Sequence, residues 1–242
     1  MIRLPFLDGA PPHAFPPVDT AQEVPDGLLA AGGDLSPERL LAAYRRGIFP
    51  WYSDGQPILW WSPSQRAVLD TASVHVPRRF ARWLRGCDWR LRADSAFAEV
   101  VRACAEPRRG EAGTWITADM QEAYGRLHRL GHAHSVEVFA GERLVGGIYG
   151  VAIGHMFFGE SMFSGEPNGS RVALLGLAKV LCDWGFPLLD AQLESPHLAR
   201  LGARGVPRAL FCAEVARLAD RESPAGTWGG RFPALAARDL AP

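Results

Sequence analysis

The sequence has little lysine, little cysteine and no excess of charge of either sign. Lys179 is the one lysine among 26 basic residues (Lys and Arg), and 26 acidic residues balance them. A uniformly basic surface is therefore excluded, and any contact with nucleic acid must use a local patch. Arginine suits such a patch because its planar guanidinium can bond two phosphate oxygens at once.

Cysteines and long hydrophobic runs are also scarce. The four cysteines are widely separated and form no C-x-x-C pair. This spacing argues against a zinc site and a disulfide framework, so we expect no metal and a reducing compartment. The first residues contain Pro and Asp where a signal peptide needs an apolar core, and no later stretch approaches the roughly 18 apolar residues of a membrane helix. We expect a soluble cytoplasmic protein without membrane contact.

Four common catalytic motifs are absent: G-x-x-x-x-G-K-[ST], G-x-G-x-x-G, G-x-S-x-G and H-E-x-x-H. Their absence argues against nucleotide hydrolysis, dinucleotide redox chemistry, serine-elbow hydrolysis and zincin chemistry. His132 and His134 resemble a metal pair, but no acidic or cysteine partner follows at ligand spacing, so we expect a structural role for them. We expect no cofactor.

Hydrophobic periodicity and cap residues predict helices that alternate with short strands. The order of elements predicts an α+β fold with a mixed, largely antiparallel sheet and not a repeated βαβ array. We expect a small N-terminal domain at residues 1–64 and a larger domain at residues 65–242. Helices are predicted at residues 37–46, 77–84, 97–104, 119–130, 171–184 (capped by Ser170) and 210–219, and strands at 58–61, 67–69, 88–94, 135–139, 143–149, 155–163 and 188–193.

Large aromatic rings are concentrated among Pro and Gly in residues 32–63. Rings on such stiff backbone make preformed apolar pockets, and neighbouring Trp rings can stack on nucleobases. The segment contributes Tyr44, Phe49, Trp51, Tyr52, Trp60 and Trp61.

Asp190 and Gln192 lie two residues apart in the strand at 188–193. Because side chains alternate along a strand, both face one side, about 7 Å apart at roughly 3.3 Å per residue. An Asp in an apolar strand must be paired, hydrogen-bonded or shifted in pKa, as functional carboxylates are. The structural alternative is an Asp held by a neighbouring loop amide.

Glu160 is a charged residue in the otherwise apolar strand predicted at 155–163. Strict alternation places it with Phe158 and Met162, and places Phe157 and Phe163 on the other face. Glu160 either pairs with an Arg for structural reasons or receives a cationic substrate group. Gly159 beside it predicts a bulge or a close backbone approach.

Arginines recur along the helix at 77–84 and around it. They form a candidate phosphate-binding patch, and the alternative is a solvated helix face. The predicted patch contains Arg78, Arg79, Arg82 and Arg85, with Arg90, Arg92, Arg108 and Arg109 nearby.

Several long motifs in residues 27–203 together resemble the bacterial leucyl/phenylalanyl-tRNA-protein transferases. They are GLLAAGGDLSPERLLAAYRRGIFPWYSDGQPILWWSP, GTWIT, AYGRLHRLGHAHSVEV, LVGGIYGVAIG, GESMFS and LLDAQLESPHLARLGA. The resemblance implies transfer of Leu or Phe from aminoacyl-tRNA to the N-terminal Arg or Lys of a protein, which marks that protein for degradation by the N-end rule. It also implies a GNAT-like acyltransferase fold after the N-terminal domain, and we expect a monomer.

The resemblance also implies roles for individual residues. Glu160, Asp190 and Gln192 fall in catalytic and acceptor-binding motifs; we expect Asp190 to act as acceptor or electrostatic partner of the ammonium and Gln192 to orient the amine. Ile148 stands where the family often has Met, and Ser195 where it often has Asn. The aminoacyl-adenosine end is expected to be surrounded by Tyr44, Trp51, Trp115, Tyr124, Ile148 and Phe157, with Phe163 also binding substrate.

Two other functions stay open. An acyl-CoA N-acetyltransferase shares the implied fold, but its R/Q-x-x-G-x-G/A pyrophosphate loop is missing from residues 167–174, which argues against coenzyme A. A noncatalytic RNA- or peptide-binding module could use the arginines and aromatic rings, but it does not need the pair Asp190 and Gln192.

Overall fold

A computed structural model describes residues 4–106, 114–222 and 226–242 of the chain. Its N-terminal part consists of a short 3-10 helix (Val18–Thr20), β1 (Leu28–Ala31), α1 (Pro37–Tyr44), β2 (Phe49–Pro50) and β3 (Leu59–Trp61). The three strands form an antiparallel sheet in the order β1-β3-β2. The Ser36 side chain accepts the backbone N–H of Arg39, so Ser36 is the N-cap of α1.

The rest of the described chain builds a larger sheet with helices on both faces. Its strands are β4 (Gln65–Asp70), β5 (Arg90–Ala93), β6 (Ala133–Ala140), β7 (Arg143–Ile153), β8 (Met156–Ser164), β9 (Leu188–Gln192), β10 (Arg204–Pro207) and β11 (Leu235–Ala236). Its helices are α2 (Arg78–Arg85), α3 (Phe97–Ala105), α4 (Ala118–Arg129), α5 (Gly169–Asp183), α6 (Pro196–Ala199) and α7 (Arg208–Ala219), followed by a 3-10 turn at Ala237–Leu240.

The eight strands lie in the order β10-β4-β9-β8-β7-β6-β5-β11. β8 and β9 are parallel, and the other neighbours are antiparallel. This is the mixed, largely antiparallel sheet that the order of elements predicted, so the predicted α+β class is confirmed. No helix among the described residues is long and apolar enough to cross a membrane.

Two hydrophobic clusters cover the opposite faces of this sheet. Successive side chains of β7 enter different clusters: Ile148 packs in one and Tyr149 in the other, as alternation along a strand requires. The Tyr149 cluster contains side chains of α1, α3, α4 and α7, whereas the Ile148 cluster contains side chains of α2 and α5. Because Tyr44 and Trp60 pack in the Tyr149 cluster, residues before and after position 64 share one hydrophobic core. The division into two domains at that residue stays a prediction.

A bulge interrupts β8 at Glu160. Ser161 pairs with Tyr149 and Gly159 pairs with Gly150, so Glu160 has no opposite residue. The predicted bulge beside Gly159 is therefore confirmed, and the strict alternation is wrong beyond it. Met162 lies in the same cluster as Phe157, and Phe163 packs against the opposite one.

The start of α5 differs from the prediction. The helix begins at Gly169, and its N-cap is Asn168 in a left-handed conformation, not Ser170. A Cβ on Gly146 would lie 2.5 Å from the Cα of Gly169, so β7 and the start of α5 meet backbone to backbone. The backbone N–H of Ser170 instead donates to Ser164 Oγ. The close packing of Gly146 against Gly169 therefore determines where α5 begins. Hydrophobic periodicity carries no signal for such a contact.

Candidate active site

The centre of the candidate site is the Glu160 carboxylate, which bonds two phenols and one amide. The Tyr44 hydroxyl donates to Oε1 at 2.7 Å, the Tyr124 hydroxyl donates to Oε2 at 2.6 Å, and Gln192 Nε2 donates to Oε1 at 3.0 Å. Burial raises the pKa of Glu160 to about 7, although the two phenols oppose the rise. A carboxyl group with a pKa near neutrality can both accept and return a proton.

Three buried tyrosines lie near this carboxylate: Tyr44 of α1, Tyr124 of α4 and Tyr149 of β7. Burial, and next the charge of Glu160, raise the pKa of Tyr44 and of Tyr124 well above its usual value. The pKa of Tyr149 is raised for the same reasons, and its hydroxyl has no hydrogen-bond partner among the described residues. The phenols are therefore neutral hydrogen-bond donors at neutral pH.

Asp190 lies on the neighbouring strand in a fully buried ion pair with Arg66 of β4. Arg66 Nε donates to Oδ1 at 2.8 Å, and Nη2 donates to Oδ2 at 2.6 Å. The guanidinium also donates to the Gly47 carbonyl and lies between the rings of Phe49 and Phe211, at 4.5 and 4.7 Å. Both carboxylate oxygens of Asp190 are thus held by a cation, and its side chain has no exposed surface.

Gln192 reaches Glu160 through an irregular end of β9. Asp190 pairs with Val68 and Gln192 with Ala67, so Ala191 is an extra residue. Gln192 has a left-handed φ of 61°, and its backbone N–H donates to Asp190 Oδ1 at 2.9 Å. The amide contact is the structural alternative considered for Asp190 from the sequence. The contact of Asp190 with the backbone N–H of Gln192 holds the backbone at Gln192 in place. The side-chain amide of Gln192 extends from this backbone to Glu160.

An apolar cavity of about 150 Å³ lies beside Glu160, on the α5 face of the sheet. A cavity of roughly this size with an apolar lining can hold benzene. It therefore fits one medium-sized apolar side chain beside Glu160. The lining residues are Leu69, Trp115, Ile148, Gly159, Glu160, Ser161, Met162, Leu174, Leu189, Asp190, Ala191 and Leu198.

The predicted substrate-binding residues divide into two groups. Trp115 and Ile148 line the cavity, and Tyr44 and Tyr124 reach the site through Glu160. The others lie elsewhere. Trp51 is 40% exposed and packs edge-to-face on Trp61, Phe157 is buried against Trp228, and Phe163 packs on the face opposite the cavity.

Arg66 is the main residue that the sequence analysis missed. It stands directly before the apolar run Ala67–Leu69 in a predicted strand, where a buried charge needs a partner. That position could have pointed to an acidic residue on a neighbouring strand, but the order of strands was needed to identify Asp190. Leu174, Leu189 and Leu198 were also missed, because apolar lining residues look like any other core.

The predicted arginine patch lies on the outer face of α2. Arg78, Arg79, Arg82 and Arg85 are exposed, while Phe80 packs in the Ile148 cluster. Arg108 and Arg109 lie outside the described residues.

The other polar residues considered from the sequence have local structural contacts. His134 bonds Asp94 at 2.8 Å and stacks on Trp228, and the Ser195 side chain caps α6 by accepting the backbone N–H of Leu198. These contacts agree with the structural role expected for His134.

Comparison with known proteins identifies the class as a transferase. Residues 68–216 match the family described as leucyl/phenylalanyl-tRNA protein transferase, and residues 33–64 match the N-terminal domain of that family. Similar curated proteins are the leucyl/phenylalanyl-tRNA--protein transferases of Xanthomonas euvesicatoria pv. vesicatoria (61% identical, over 93% of this chain and 91% of that protein) and Thiobacillus denitrificans (58%, over 88% and 94%).

The chain therefore belongs to the leucyl/phenylalanyl-tRNA protein transferase family, and the predicted aminoacyltransferase class is confirmed. Among solved structures, L-PGS from Bacillus licheniformis has a TM-score of 0.37 and 12% identity, over 69% of this chain and 54% of that one. A likeness at this level carries no argument about the site.

Proposed function

We propose that this enzyme transfers leucine or phenylalanine from aminoacyl-tRNA to the N-terminal Arg or Lys of a protein, and so marks that protein for degradation by the N-end rule. The observation that carries the proposal is the apolar cavity that is lined in part by Glu160, a residue of raised pKa. An isobutyl or a benzyl group fits a cavity of about 150 Å³. The carboxylate then lies beside the ester that joins the amino acid to the tRNA.

The reaction forms one C–N bond and breaks one C–O bond. The α-amine of the acceptor attacks the ester carbonyl, and the ribose oxygen leaves. One proton must pass from the amine nitrogen to that oxygen. An α-amine has a pKa of roughly 7.7 to 8.0, so a useful fraction is neutral at neutral pH. We assign the proton transfer to Glu160, which takes the proton from nitrogen and gives it to the ribose oxygen.

Asp190 has a positioning role in this proposal and is not the partner of the substrate ammonium. Its charge is balanced by Arg66 at 2.6 and 2.8 Å, and no part of its side chain is exposed. It fixes the backbone of Gln192, whose amide orients the attacking amine. Glu160 then provides the negative charge that favours an acceptor with N-terminal Arg or Lys. The groups that bond Glu160 within the protein, two phenols and an amide, are neutral and leave its charge unbalanced.

The tRNA contacts are proposed from exposed side chains. The ring of Trp51, 5.6 Å from that of Trp61, offers a stacking surface for the terminal adenosine, with Trp115 at the cavity. The α2 arginines provide a local cationic surface in a chain with no net charge. We propose that the enzyme acts as a monomer in the cytoplasm, where aminoacyl-tRNA is available.

One assay tests the function against its two rivals. The chain is incubated with leucyl-tRNA labelled in the amino acid and with peptides that start with Arg or Ala. Label in the Arg-starting peptide alone supports the proposal. Binding of tRNA without label in either peptide supports a noncatalytic module, and binding of coenzyme A measured by calorimetry supports an acyl-CoA transferase. Either of these last results overturns the proposal.

A further inference from the structure

Glu160, Tyr44 and Tyr124 form a closed ring of three short oxygen contacts. The Tyr44 hydroxyl is 2.7 Å from Glu160 Oε1, the two hydroxyls are 2.6 Å apart, and the Tyr124 hydroxyl is 2.6 Å from Glu160 Oε2. Both phenols are fully buried, and Glu160 is 7% exposed. Each contact is short enough to need a proton between its two oxygens.

The number of protons decides whether the ring can close. The two phenols carry two protons, whereas three contacts need three. When Glu160 is ionised, both phenols donate to it, and the contact between their oxygens holds no proton. When Glu160 is protonated, Oε2–H donates to Tyr124, Tyr124 donates to Tyr44, and Tyr44 donates to Oε1. Gln192 Nε2 donates to the same Oε1, which suits the carbonyl oxygen of the protonated acid.

We propose that Tyr44 and Tyr124 are proton-relay partners of Glu160, and that their hydrogen-bonded ring closes when Glu160 takes up a proton. The proposal deepens the proposed function, on which its role in transfer rests. The amine proton that moves to Glu160 completes the ring, and the ring opens again when that proton passes to the ribose oxygen. No proton is gained or lost in the cycle.

Within the described ranges, the other charged and titratable groups that face Glu160 are Asp190 on β9, Arg66 on β4 and Tyr149 on β7. The Asp190 charge raises the pKa of Glu160 and the Arg66 charge lowers it, so the ion pair acts weakly on balance. Tyr149 has a raised pKa and stays neutral. The ring and burial are therefore the main local influences on this proton.

The test is the pKa of Glu160 in variants that remove one phenol hydroxyl. It is measured by NMR on protein with glutamate labelled at the carboxyl carbon, and the signal is assigned by its loss in Glu160→Gln. Tyr44→Phe removes one hydrogen bond from the ionised form but two from the closed ring of the protonated form, and the contact that remains is one that an ionised carboxylate forms better. We therefore expect the pKa to fall by about one unit in Tyr44→Phe, and also in Tyr124→Phe. The double variant loses both donors to a buried carboxylate, so its pKa rises above that of the wild type.

Tyr149→Phe is the matched control, because it removes a buried phenol hydroxyl for which the described part of the chain offers no hydrogen-bond partner. It should leave the pKa of Glu160 unchanged, and circular dichroism checks the fold of each variant. A pKa that rises in both single variants overturns the ring, since two independent donors would have that effect. The titration needs no transfer activity. If Glu160→Gln transfers leucine at the wild-type rate, the role of Glu160 in the proposed function fails, whereas the ring is still judged by the titration.

Discussion

The two buried carboxylates of the site lie on neighbouring strands but have opposite surroundings. Asp190 bonds the guanidinium of Arg66 through both oxygens, whereas Glu160 bonds two phenols and an amide, all neutral. A cation keeps a buried carboxylate ionised. Neutral donors only partly offset burial, so the pKa of Glu160 is raised to about 7.

This difference gives the two carboxylates different roles: the Asp190 charge holds the structure, whereas the Glu160 charge can take part in proton transfer. The Asp190 charge is cancelled within the protein and serves to hold Arg66 and the backbone of Gln192. The Glu160 charge changes near neutral pH, beside a cavity that is large enough for one apolar side chain. Burial alone does not distinguish the two residues, since both are buried; the charge of the bonded partners does.

Removal of the Asp190 charge should have the largest effect on stability. Asp190→Asn leaves Arg66 buried without a counter-charge, so we expect the free energy of unfolding to fall by about 3–5 kcal/mol. Glu160→Gln is the comparison, because its amide can donate to Tyr124 and accept from Tyr44 as the protonated acid does. Its unfolding free energy at neutral pH should not fall, because the substitution removes a buried charge that is bonded only to neutral groups. Urea unfolding of both variants measures the difference, and equal losses would contradict it.

The raised pKa of Glu160 also predicts a dependence of stability on pH. Its pKa is about 7 in the folded chain against 4.5 for the free side chain, so the folded state binds more protons between these values. Glu160 therefore stabilises the fold most below about pH 4.5, and this contribution is lost as the pH rises through 7. The loss is on the order of 3 kcal/mol.

Subtraction isolates this contribution. The unfolding free energy of Glu160→Gln is subtracted from that of the wild type at several pH values, which cancels the effect of every other titrating group. The difference should decrease as the pH rises. A difference that is independent of pH would mean that the pKa of Glu160 is close to its unfolded value.

The same variant should slow the reaction. Glu160→Gln keeps the shape of the site but cannot accept a proton, so kcat/KM for an Arg-starting peptide should fall by about 100-fold. Wild-type kcat/KM should rise with pH through about 7, as Glu160 becomes ionised. Leucyl-tRNA binding, measured separately, should change little. A rate within about twofold of the wild type would contradict the role in proton transfer.

The sequence predicted the strands of the site better than the geometry of its side chains. Gly159 pointed to the bulge at Glu160, whereas the extra residue Ala191 interrupts the strict alternation that was expected between Asp190 and Gln192. Arg66 was missed because the antiparallel pairing of β4 with β9 brings together residues that are far apart in the chain. Long-range pairing leaves no local periodicity, so the ion pair could be found only from the fold.

The bulge in β8 at Glu160 explains why Phe163 does not lie on the face that strict alternation predicted. A single extra residue reverses the faces beyond it, so Phe163 lies away from the cavity while Met162 lines it. Family motifs locate a residue in the sequence, but the register decides which face of the sheet the side chain occupies.

The cavity should select the transferred amino acid by its shape. Ile148→Ala enlarges the space beside Met162, so the preference for phenylalanine over leucine should increase by roughly tenfold in kcat/KM. Phe157→Leu is the matched control, since it shortens a buried side chain of β8 that packs against Trp228 and not in the cavity lining. Competition between the two aminoacyl-tRNAs measures the ratio. Equal shifts in both variants would indicate a general loosening of the core.

The contrast between a buried, paired charge and a more accessible one extends to the arginines, where it predicts the smallest effect. Arg66 is buried and committed to Asp190, whereas Arg82 is exposed on α2. Arg82→Gln should weaken tRNA binding a few-fold and reduce the slope of log affinity against log salt by about 1. Arg217→Gln on α7 is the control, because that exposed arginine already bonds Glu214. If both variants weaken binding equally, the effect reflects net charge, and the α2 patch has no special place in tRNA binding.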